Sequence, residues 1–357
     1  MKTFFKLLLF FVFGLLVLIA CKKDTAKEEP SGEVFDPTPY EIIKPTGFPD
    51  IIIPDDNPMT VEGVQLGRML YYDKILSGDN TQSCASCHAP EFSFTDNGKQ
   101  FSEGIDGSIG NRNSPSVINT AWMPSFFWDG RAATVEDQAL GPVPNPVEMN
   151  LPWPEAMQKL NAHPDYPDLF FKAFGTREID SMLVAKAIAQ FERTMISSNS
   201  KWDRYLRNEA VLTQAESQGF EIFFSEIGDC FHCHTTILFT DNLFHNNGMD
   251  AAFTDLGLGE ISGNANDIGK FKTPTLRNIE FTAPFMHDGR FETIEDVVDF
   301  YSEGVVWSET IDPLMKKVGQ GGLHLTDDQK ENLIAFLKTL TDESYIENPD
   351  FSDPFEE

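Results

Sequence analysis

Positive charge is scarce in this chain of 357 residues. Lys and Arg together number 27 against 56 Asp and Glu, which gives a formal net charge of −29 at pH 7. A surface of this sign repels nucleic acid and anionic lipid headgroups, so neither is expected as a partner. The same charge would attract a basic protein, although it would also serve solubility alone.

Long hydrophobic runs are nearly absent as well. The exception is residues 7–20, which follow Lys2 and Lys6 and end immediately before Cys21. Basic residues before a short apolar run are typical of a secretory signal, so residues 1–20 are predicted to be a signal peptide.

The small residue before Cys21 resembles a bacterial lipobox, which predicts that Cys21 becomes lipidated; a plain signal anchor is the alternative. Residues 22–45 are rich in Lys, Glu, Pro and Thr and are expected to form a flexible tether. The protein is therefore predicted on the periplasmic or cell-surface side, anchored by lipid to a bacterial membrane.

Cysteine is equally scarce, and four of the five cysteines fall in two Cys-x-x-Cys-His motifs, at residues 84–88 and 230–234. This spacing predicts two covalently bound haem c groups, because two thiols three residues apart reach the vinyl groups of one porphyrin. The histidine that follows can then bind the iron. The predicted residues are Cys84, Cys87 and His88 in the first motif and Cys230, Cys233 and His234 in the second.

A zinc site or disulfides are the alternative interpretation of these cysteines. A zinc site would require the two cysteine pairs to converge on one metal ion. It would also leave the histidine after each pair unexplained.

The two motifs lie within two copies of a longer pattern. Pro115 precedes Asp129-Gly130-Arg131, and Pro274 precedes Asp288-Gly289-Arg290 at the same spacing. An internal repeat of this kind indicates two copies of one structural unit. We therefore predict a mainly α fold with two cytochrome c-like monohaem domains and long ordered loops.

The repeat also suggests domain limits. Residues 46–200 are predicted to form the N-terminal haem domain and residues 201–325 the C-terminal haem domain. Residues 326–345 are predicted to form a final helix that could pack back on the N-terminal domain.

Helical periodicity supports this organisation. Clusters of Gly and Pro predict long loops over 104–154 and 247–274, and no sustained alternation predicts a strand. Helices are predicted at 61–72, 165–174, 180–195, 213–225, 292–303 and 326–340.

Alignment of the two copies on Asp-Gly-Arg places Pro142 opposite Tyr301. Tyr can ligate haem iron through its oxygen, whereas the Pro side chain has no donor atom. If this position faces the distal side, Tyr301 closes the second haem and the first remains open to peroxide. Met286 and Met315 are alternative ligands, and both aligned residues could also be ordinary loop and helix residues.

Polar residues follow the first Asp-Gly-Arg: Gln138, Asn145 and Glu148. A haem that splits an O–O bond needs a nearby base to move a proton between the two oxygens. A carboxylate with an amide beside it could do so, although a surface helix would also carry these residue types.

Together these features resemble the bacterial dihaem cytochrome c peroxidase and MauG family over residues 63–340. The resemblance rests on both haem motifs and on several shorter segments. These are Leu66-Gly67-Arg68-Met69-Leu70, Arg112-Asn113-Ser114-Pro115, Phe127-Trp128-Asp129-Gly130-Arg131-Ala132, Gly141-Pro142, Glu148-Met149, Pro274-Thr275-Leu276-Arg277-Asn278 and His287-Asp288-Gly289.

The resemblance implies roles for particular residues. His88 would be the proximal ligand of the N-terminal, peroxide-binding haem, and His234 that of the C-terminal, electron-transfer haem. Trp128 would relay electrons between them. Gln138 and Glu148 would form the distal pair, with Glu148 as the acid–base group.

The resemblance further implies one calcium ion between the haems. The side chain of Asn113 and the carbonyls of Thr282 and Pro284 would bind it, since such oxygens are suitable ligands for a hard cation.

Two departures from the usual pattern of this family matter. The loop 104–110 contains no His, so the first haem is expected to be open without prior reduction. Tyr301 stands where many of these peroxidases have Met and is similar to the MauG branch. Tyr ligation would lower the potential of the second haem.

The resemblance thus implies an enzyme that acts on hydrogen peroxide, with cytochrome c or a similar protein as electron donor. A MauG-like enzyme that uses peroxide to oxidise residues of a partner protein is the alternative. A non-enzymatic electron carrier fits less well, because a carrier would fill both distal positions. A homodimer is left open.

Overall fold

Helices carry most of the regular structure in the computed structural model, which describes residues 34–96, 98–235 and 237–356. The predicted signal peptide, Cys21 and residues 22–33 of the predicted tether lie outside these ranges. The helices are α1 (Val61–Tyr72), α2 (Val135–Ala139), α3 (Trp153–Ala162), α4 (Tyr166–Phe174), α5 (Ser181–Thr194), α6 (Lys201–Leu206), α7 (Gln214–Phe223), α8 (Leu258–Ser262), α9 (Ile294–Asp299), α10 (Asp327–Lys338) and α11 (Glu343–Ile346).

Strands contribute little to the fold. β1 (Phe244–His245) and β2 (Phe271–Lys272) form one short antiparallel pair. The predicted mainly α class is therefore confirmed, and the long connections between helices run as ordered loops closed by turns and isolated bridges.

Several helices begin at a polar residue whose side chain caps the helix, just before an apolar stripe. The Thr60 hydroxyl accepts a hydrogen bond from the Gly63 N–H at the start of α1. Thr213 and Glu216 form a reciprocal capping box at α7. Such caps satisfy N–H groups that have no partner within the helix.

The two largest hydrophobic cores of the described chain lie one in each half. The first joins α1, α4 and α5, and the second joins α7, α9 and α10. In each core two helices cross at a glycine: an added Cβ on Gly67 would lie 1.9 Å from the Ala187 carbonyl oxygen, and one on Gly219 would lie 1.9 Å from that of Asn332. The two halves therefore use the same close helix crossing.

The local backbone repeats as well, in the register that aligns Asp129 with Asp288. Asn119 and Asn278 both adopt left-handed φ values, 55° and 59°, before a short 3₁₀ turn. The bridge between Phe126 and Ala132 recurs between Phe285 and Phe291. The sequence repeat is thus also a structural repeat.

The end of the chain connects the two cores. α10 packs in the second core through its buried side chains Leu333, Phe336 and Leu337, rather than on the first. Tyr345 and Phe351, which follow it, enter the first core. The packing on the N-terminal half that was expected of residues 326–345 therefore belongs to the segment after α10.

Part of the predicted tether is bonded to the folded body. The Tyr40 N–H donates to the Met59 carbonyl at 3.0 Å, and the Val61 N–H donates to the Thr38 carbonyl at 2.8 Å. The segment expected to be flexible, 22–45, is therefore ordered from Thr38 onward. Within the described ranges, no helix combines the length and apolar character needed to cross a bilayer.

Candidate functional site

The two Cys-x-x-Cys-His motifs fold alike. A single 3₁₀ turn begins at the first cysteine of each, and the His88 and His234 N–H groups donate to the carbonyls of Cys84 and Cys230 at 3.0 and 2.9 Å. This turn places thiols three residues apart on one side of the chain. All four thiols are free.

The imidazoles of both motifs are oriented by backbone carbonyls. His88 Nδ1 lies 2.9 Å from the Phe94 oxygen, and His234 Nδ1 lies 3.0 Å from the Phe239 oxygen. Because a carbonyl can only accept, Nδ1 carries the proton and Nε2 keeps its lone pair for a metal. Burial lowers the pKa of both imidazoles, which also favours the neutral, ligating form.

The zinc alternative finds no support in this geometry. Within the described ranges, one group of side chains that could hold a metal ion includes a cysteine of these motifs. It consists of Cys233, Asp241 and His245. The two cysteine pairs do not converge on a common position, and the four thiols form no disulfide.

A cavity of about 800 Å³ reaches both motifs. Its volume lies in the range of cofactor sites in proteins. Free thiols and imidazoles oriented for metal binding on its wall fit two covalently attached haem groups. The residues predicted for haem binding, catalysis and calcium all line it: Cys84, Cys87, His88, Cys230, Cys233, His234, Tyr301, Trp128, Gln138, Glu148, Asn113, Thr282 and Pro284.

Glu148 is a carboxyl group of this wall that suits proton transfer. Asn145 Nδ2 donates to its Oε1 at 2.7 Å, and burial raises the pKa of Glu148. Gln138, near the end of α2, lines the same cavity. A part-buried carboxyl with a raised pKa can both accept and return a proton.

Pro142 and Tyr301, aligned by the repeat, both line the cavity. Tyr301 lies in a π-helical turn, Phe300–Gly304, that extends α9, and its Oη accepts a hydrogen bond from Asn247 Nδ2 at 3.0 Å. Burial raises the pKa of Tyr301 to about 12. The two alternative ligands, Met286 and Met315, line the cavity too, and the Met286 sulfur lies 3.7 Å from the same Asn247 amide nitrogen.

Trp128 lies where the two halves meet. Its indole N–H donates to the Asn113 carbonyl at 2.9 Å, and its ring meets the His287 ring edge-on with centroids 6.5 Å apart. His287 in turn stacks on Phe271 at 3.6 Å. Trp128 and His287 occupy equivalent positions of the repeat, so the halves contact each other through equivalent residues.

The predicted calcium ligands surround the same junction. Asn113 is buried, and its Nδ2 donates to the carbonyls of Lys99 and Gln100, each at 3.2 Å. This orientation leaves its Oδ1 for another group. Thr282 and Pro284 line the same cavity, so the donor set fits a hard cation.

Several side chains that orient the site are not among the residues predicted for it. The Ser114 hydroxyl lies 3.3 Å from His88 Nδ1, and Asn247 bonds to Tyr301. His245 is held between Asp241 and Asp312, at 2.8 and 2.6 Å. A second repeat, Phe-Thr-Asp at 94–96 and 239–241, could have identified the carbonyls that orient the imidazoles.

Known proteins with similar sequences cover most of the chain. The family model for di-haem cytochrome c peroxidase matches residues 61–211. The methylamine utilization protein MauG of Methylorubrum extorquens is 36% identical over 297 residues, which cover 80% of each chain. Cytochrome c551 peroxidase of Nitrosomonas europaea is 33% identical over 308 residues, which cover 83% of this chain and 84% of that protein.

Solved structures agree with the sequence relatives. A MauG-like protein associated with microbial copper homeostasis is 37% identical, with a TM-score of 0.83 over 89% of this chain and all of that one. The diheme peroxidase BthA of Burkholderia thailandensis shares the fold at 24% identity, with a TM-score of 0.73 over 83% of this chain and 91% of that one. The chain therefore belongs to the di-haem cytochrome c peroxidase family and is a peroxidase-type oxidoreductase with two haem groups.

Proposed function

We propose that this enzyme reduces hydrogen peroxide to water at the N-terminal motif, with electrons that a cytochrome c or a similar protein delivers through the C-terminal motif. The observation that carries the proposal is the asymmetry of the cavity. Its N-terminal part offers an acid–base carboxyl, Glu148, and the donor-free Pro142, whereas its C-terminal part offers Tyr301.

Each half of the chain would hold one haem. Cys84 and Cys87 would attach the first, with His88 as its proximal ligand. Cys230 and Cys233 would attach the second, which would lie between two iron ligands, His234 and Tyr301. When bound, the two groups supply the iron that reacts with peroxide and the storage of electrons.

The side chains supply the proton transfer. Glu148 accepts the proton of one peroxide oxygen and returns it to the other, so that the outer oxygen leaves as water. Asn145 holds the carboxyl in place by its 2.7 Å hydrogen bond, and Gln138 offers an amide to the same space. Trp128, whose ring meets that of His287 in the other half, offers a direct connection between the halves.

Three further features belong to the proposal. A calcium ion bound by Asn113, Thr282 and Pro284 would stiffen the junction of the halves. Cys21 would carry the lipid that anchors the protein on the periplasmic or cell-surface side of a bacterial membrane. The residues before Thr38 would then act as the tether.

Replacement of Glu148 by Gln tests the proposal. We expect Glu148→Gln to lower kcat for peroxide by about 10²–10⁴-fold, the usual contribution of a general acid–base group. Haem content and the oxidised spectrum should stay as in the wild type.

Glu155→Gln is the matched control, since Glu155 is an exposed carboxylate at the start of α3. It should leave turnover unchanged. Full turnover in Glu148→Gln would contradict the assigned role.

A MauG-like reaction is the second candidate, in which peroxide serves to oxidise residues of a partner protein. The hydrogen bond between Asn247 and Tyr301 favours it, because it holds a tyrosine oxygen on the cavity wall where a Met would suit an electron-accepting haem. The relatives named MauG support the same candidate.

A further inference from the structure

A row of three aromatic side chains leads from the second haem motif to the protein surface. It begins at Phe239, whose carbonyl accepts the hydrogen bond from His234 Nδ1 at 3.0 Å. The Phe239 ring meets the Trp202 ring edge-on, with centroids 6.4 Å apart. The Trp202 ring lies 5.5 Å from that of Tyr205, because side chains three residues apart are neighbours on a helix such as α6. The row therefore connects the imidazole proposed to bind the second iron with Tyr205.

The two oxidisable members of this row differ in exposure. Trp202 is buried in the second core, where the rings of Phe220 and Phe336 lie 5.1 and 5.3 Å from it. Tyr205, in contrast, is 41% exposed. Trp and Tyr side chains lose an electron far more readily than Phe does. Tyr205 is therefore the member of the row that can exchange electrons with a molecule in solution, and Trp202 is the step before it.

The row lies behind the wall of the haem cavity and is not part of that wall. Among the described residues that line the cavity, none is Phe239, Trp202 or Tyr205. Their ring contacts are made with one another and with the second core. These contacts therefore do not depend on the group that fills the cavity.

The aromatic cluster beside the first motif has no such exit. Phe94, whose carbonyl lies against His88 Nδ1, contacts the rings of Tyr71 and Tyr345. Both tyrosines are buried, and each hydroxyl donates to a backbone carbonyl. A tyrosine that is oxidised releases its phenol proton, and a carbonyl does not accept that proton. Burial also raises the pKa of both tyrosines, whereas the exposed phenol of the second half can release its proton to water.

We propose that Trp202 and Tyr205 form a route for electrons between the surface and the second haem, and that a one-electron reductant outside the cavity is oxidised at Tyr205. The inference rests on the proposed function, which supplies hydrogen peroxide as the oxidant. Each Tyr205 phenol gives one electron through Trp202 to the oxidised haems and one proton to water. Two such phenols reduce one hydrogen peroxide to two waters. The phenoxyl radical then takes an electron from the reductant and a proton from water.

Spin trapping in the haem-loaded protein locates the radical. After hydrogen peroxide is added without a reductant, a nitrone spin trap should label Tyr205, and mass spectrometry of the peptides identifies the labelled residue. Tyr205→Phe should lose this label. Tyr40→Phe is the matched control, because Tyr40 is exposed to a similar extent, 37%, and packs in neither core. It should leave the label on Tyr205 unchanged.

Two variants of Trp202 test the route itself. Trp202→Phe keeps an aromatic ring in the core but removes the oxidisable side chain, so the label on Tyr205 should fall several-fold. Trp202→Tyr places an oxidisable ring at the same position and should retain most of the label. A merely structural role of Trp202 would not distinguish the two variants in this way.

The outcomes separate this inference from the proposed function. If peroxide leaves the haem spectrum unchanged, the proposed function fails and the inference fails with it. If peroxide oxidises the haems but Tyr205 stays unlabelled, or is labelled equally in Trp202→Phe, the inference alone is overturned. A label found mainly on Trp307, which is 61% exposed, would overturn it as well.

Discussion

The hydrogen bond from Asn145 to Glu148 should influence the pH range in which the enzyme is active. Burial raises the pKa of Glu148, and the Asn145 donor opposes that effect because it stabilises the ionised carboxylate. In the role proposed for it, Glu148 must be ionised to accept a proton from peroxide. Turnover should therefore fall as the pH drops through the pKa of Glu148.

Replacement of Asn145 by Ser should move this acid limb. Ser can still accept the Val147 N–H that Asn145 Oδ1 accepts now, but it is too short to reach Glu148. The pKa of Glu148 should then rise, and the acid limb of kcat/KM for peroxide should move to higher pH. The pH–rate profile measures this; a limb that stays in place, or moves to lower pH, would contradict it. Asn266→Ala, at an exposed position, is the control.

Single substitutions can also identify the iron ligand of the second haem. Tyr301→Phe should change the oxidised spectrum of that haem and raise its reduction potential, because an oxygen ligand is lost. Met286→Leu and Met315→Leu should change neither property. The opposite pattern would assign the ligand to a methionine. Met286 is a specific alternative, because its sulfur lies 3.7 Å from the Asn247 amide nitrogen that also bonds to Tyr301.

Among the secondary-structure elements, the two helix crossings are the sites where an added methyl group should reduce stability most. The Cβ of an alanine at Gly67 would lie 1.9 Å from the Ala187 carbonyl oxygen, a backbone atom that cannot move aside cheaply. Gly67→Ala should therefore lower the free energy of unfolding by about 1–3 kcal/mol or more, as over-packing does in other cores. Gly319→Ala, which meets no atom within 4 Å, should be nearly neutral.

Thermal unfolding of the haem-loaded variants measures the difference. Equal midpoints for Gly67→Ala and Gly319→Ala would show that α1 and α5 can separate without loss. Gly219→Ala extends the comparison to the crossing of α7 and α10 in the second core, where the same effect is expected.

Elements with strong local signals were predicted well from the sequence. The predicted helix 61–72 has the bounds of α1, because Thr60 caps its start and the apolar stripe is continuous. α3 was not predicted, and its first two residues fall in the predicted loop 104–154, although Pro is well tolerated in the first turn of a helix. α6 is not among the predicted helices, although a short capping box at Ser200 begins it.

For the whole molecule, the repeat explains which parts of the site the sequence could predict. The haem motifs are local patterns, and the resemblance to the family points to Glu148, so these residues could be predicted without a structure. The contacts of Asn247 with Tyr301 and of Lys272 with Ser125 join segments that are 54 and 147 residues apart. Such contacts depend on how the halves meet, which neither periodicity nor spacing encodes.

The charge of the whole chain predicts how an electron donor approaches. With a net charge of −29, the enzyme should oxidise a basic reduced cytochrome c in the presence of peroxide, and faster at low salt. The rate should fall as ionic strength rises from about 0.01 M to 0.1 M, because the screening length shrinks from about 30 Å to about 10 Å. An acidic cytochrome c should react slowly and gain speed with salt. If neither donor is oxidised while peroxide still oxidises the haems, the reducing equivalents must come from elsewhere, and oxidation of a partner protein becomes the better explanation.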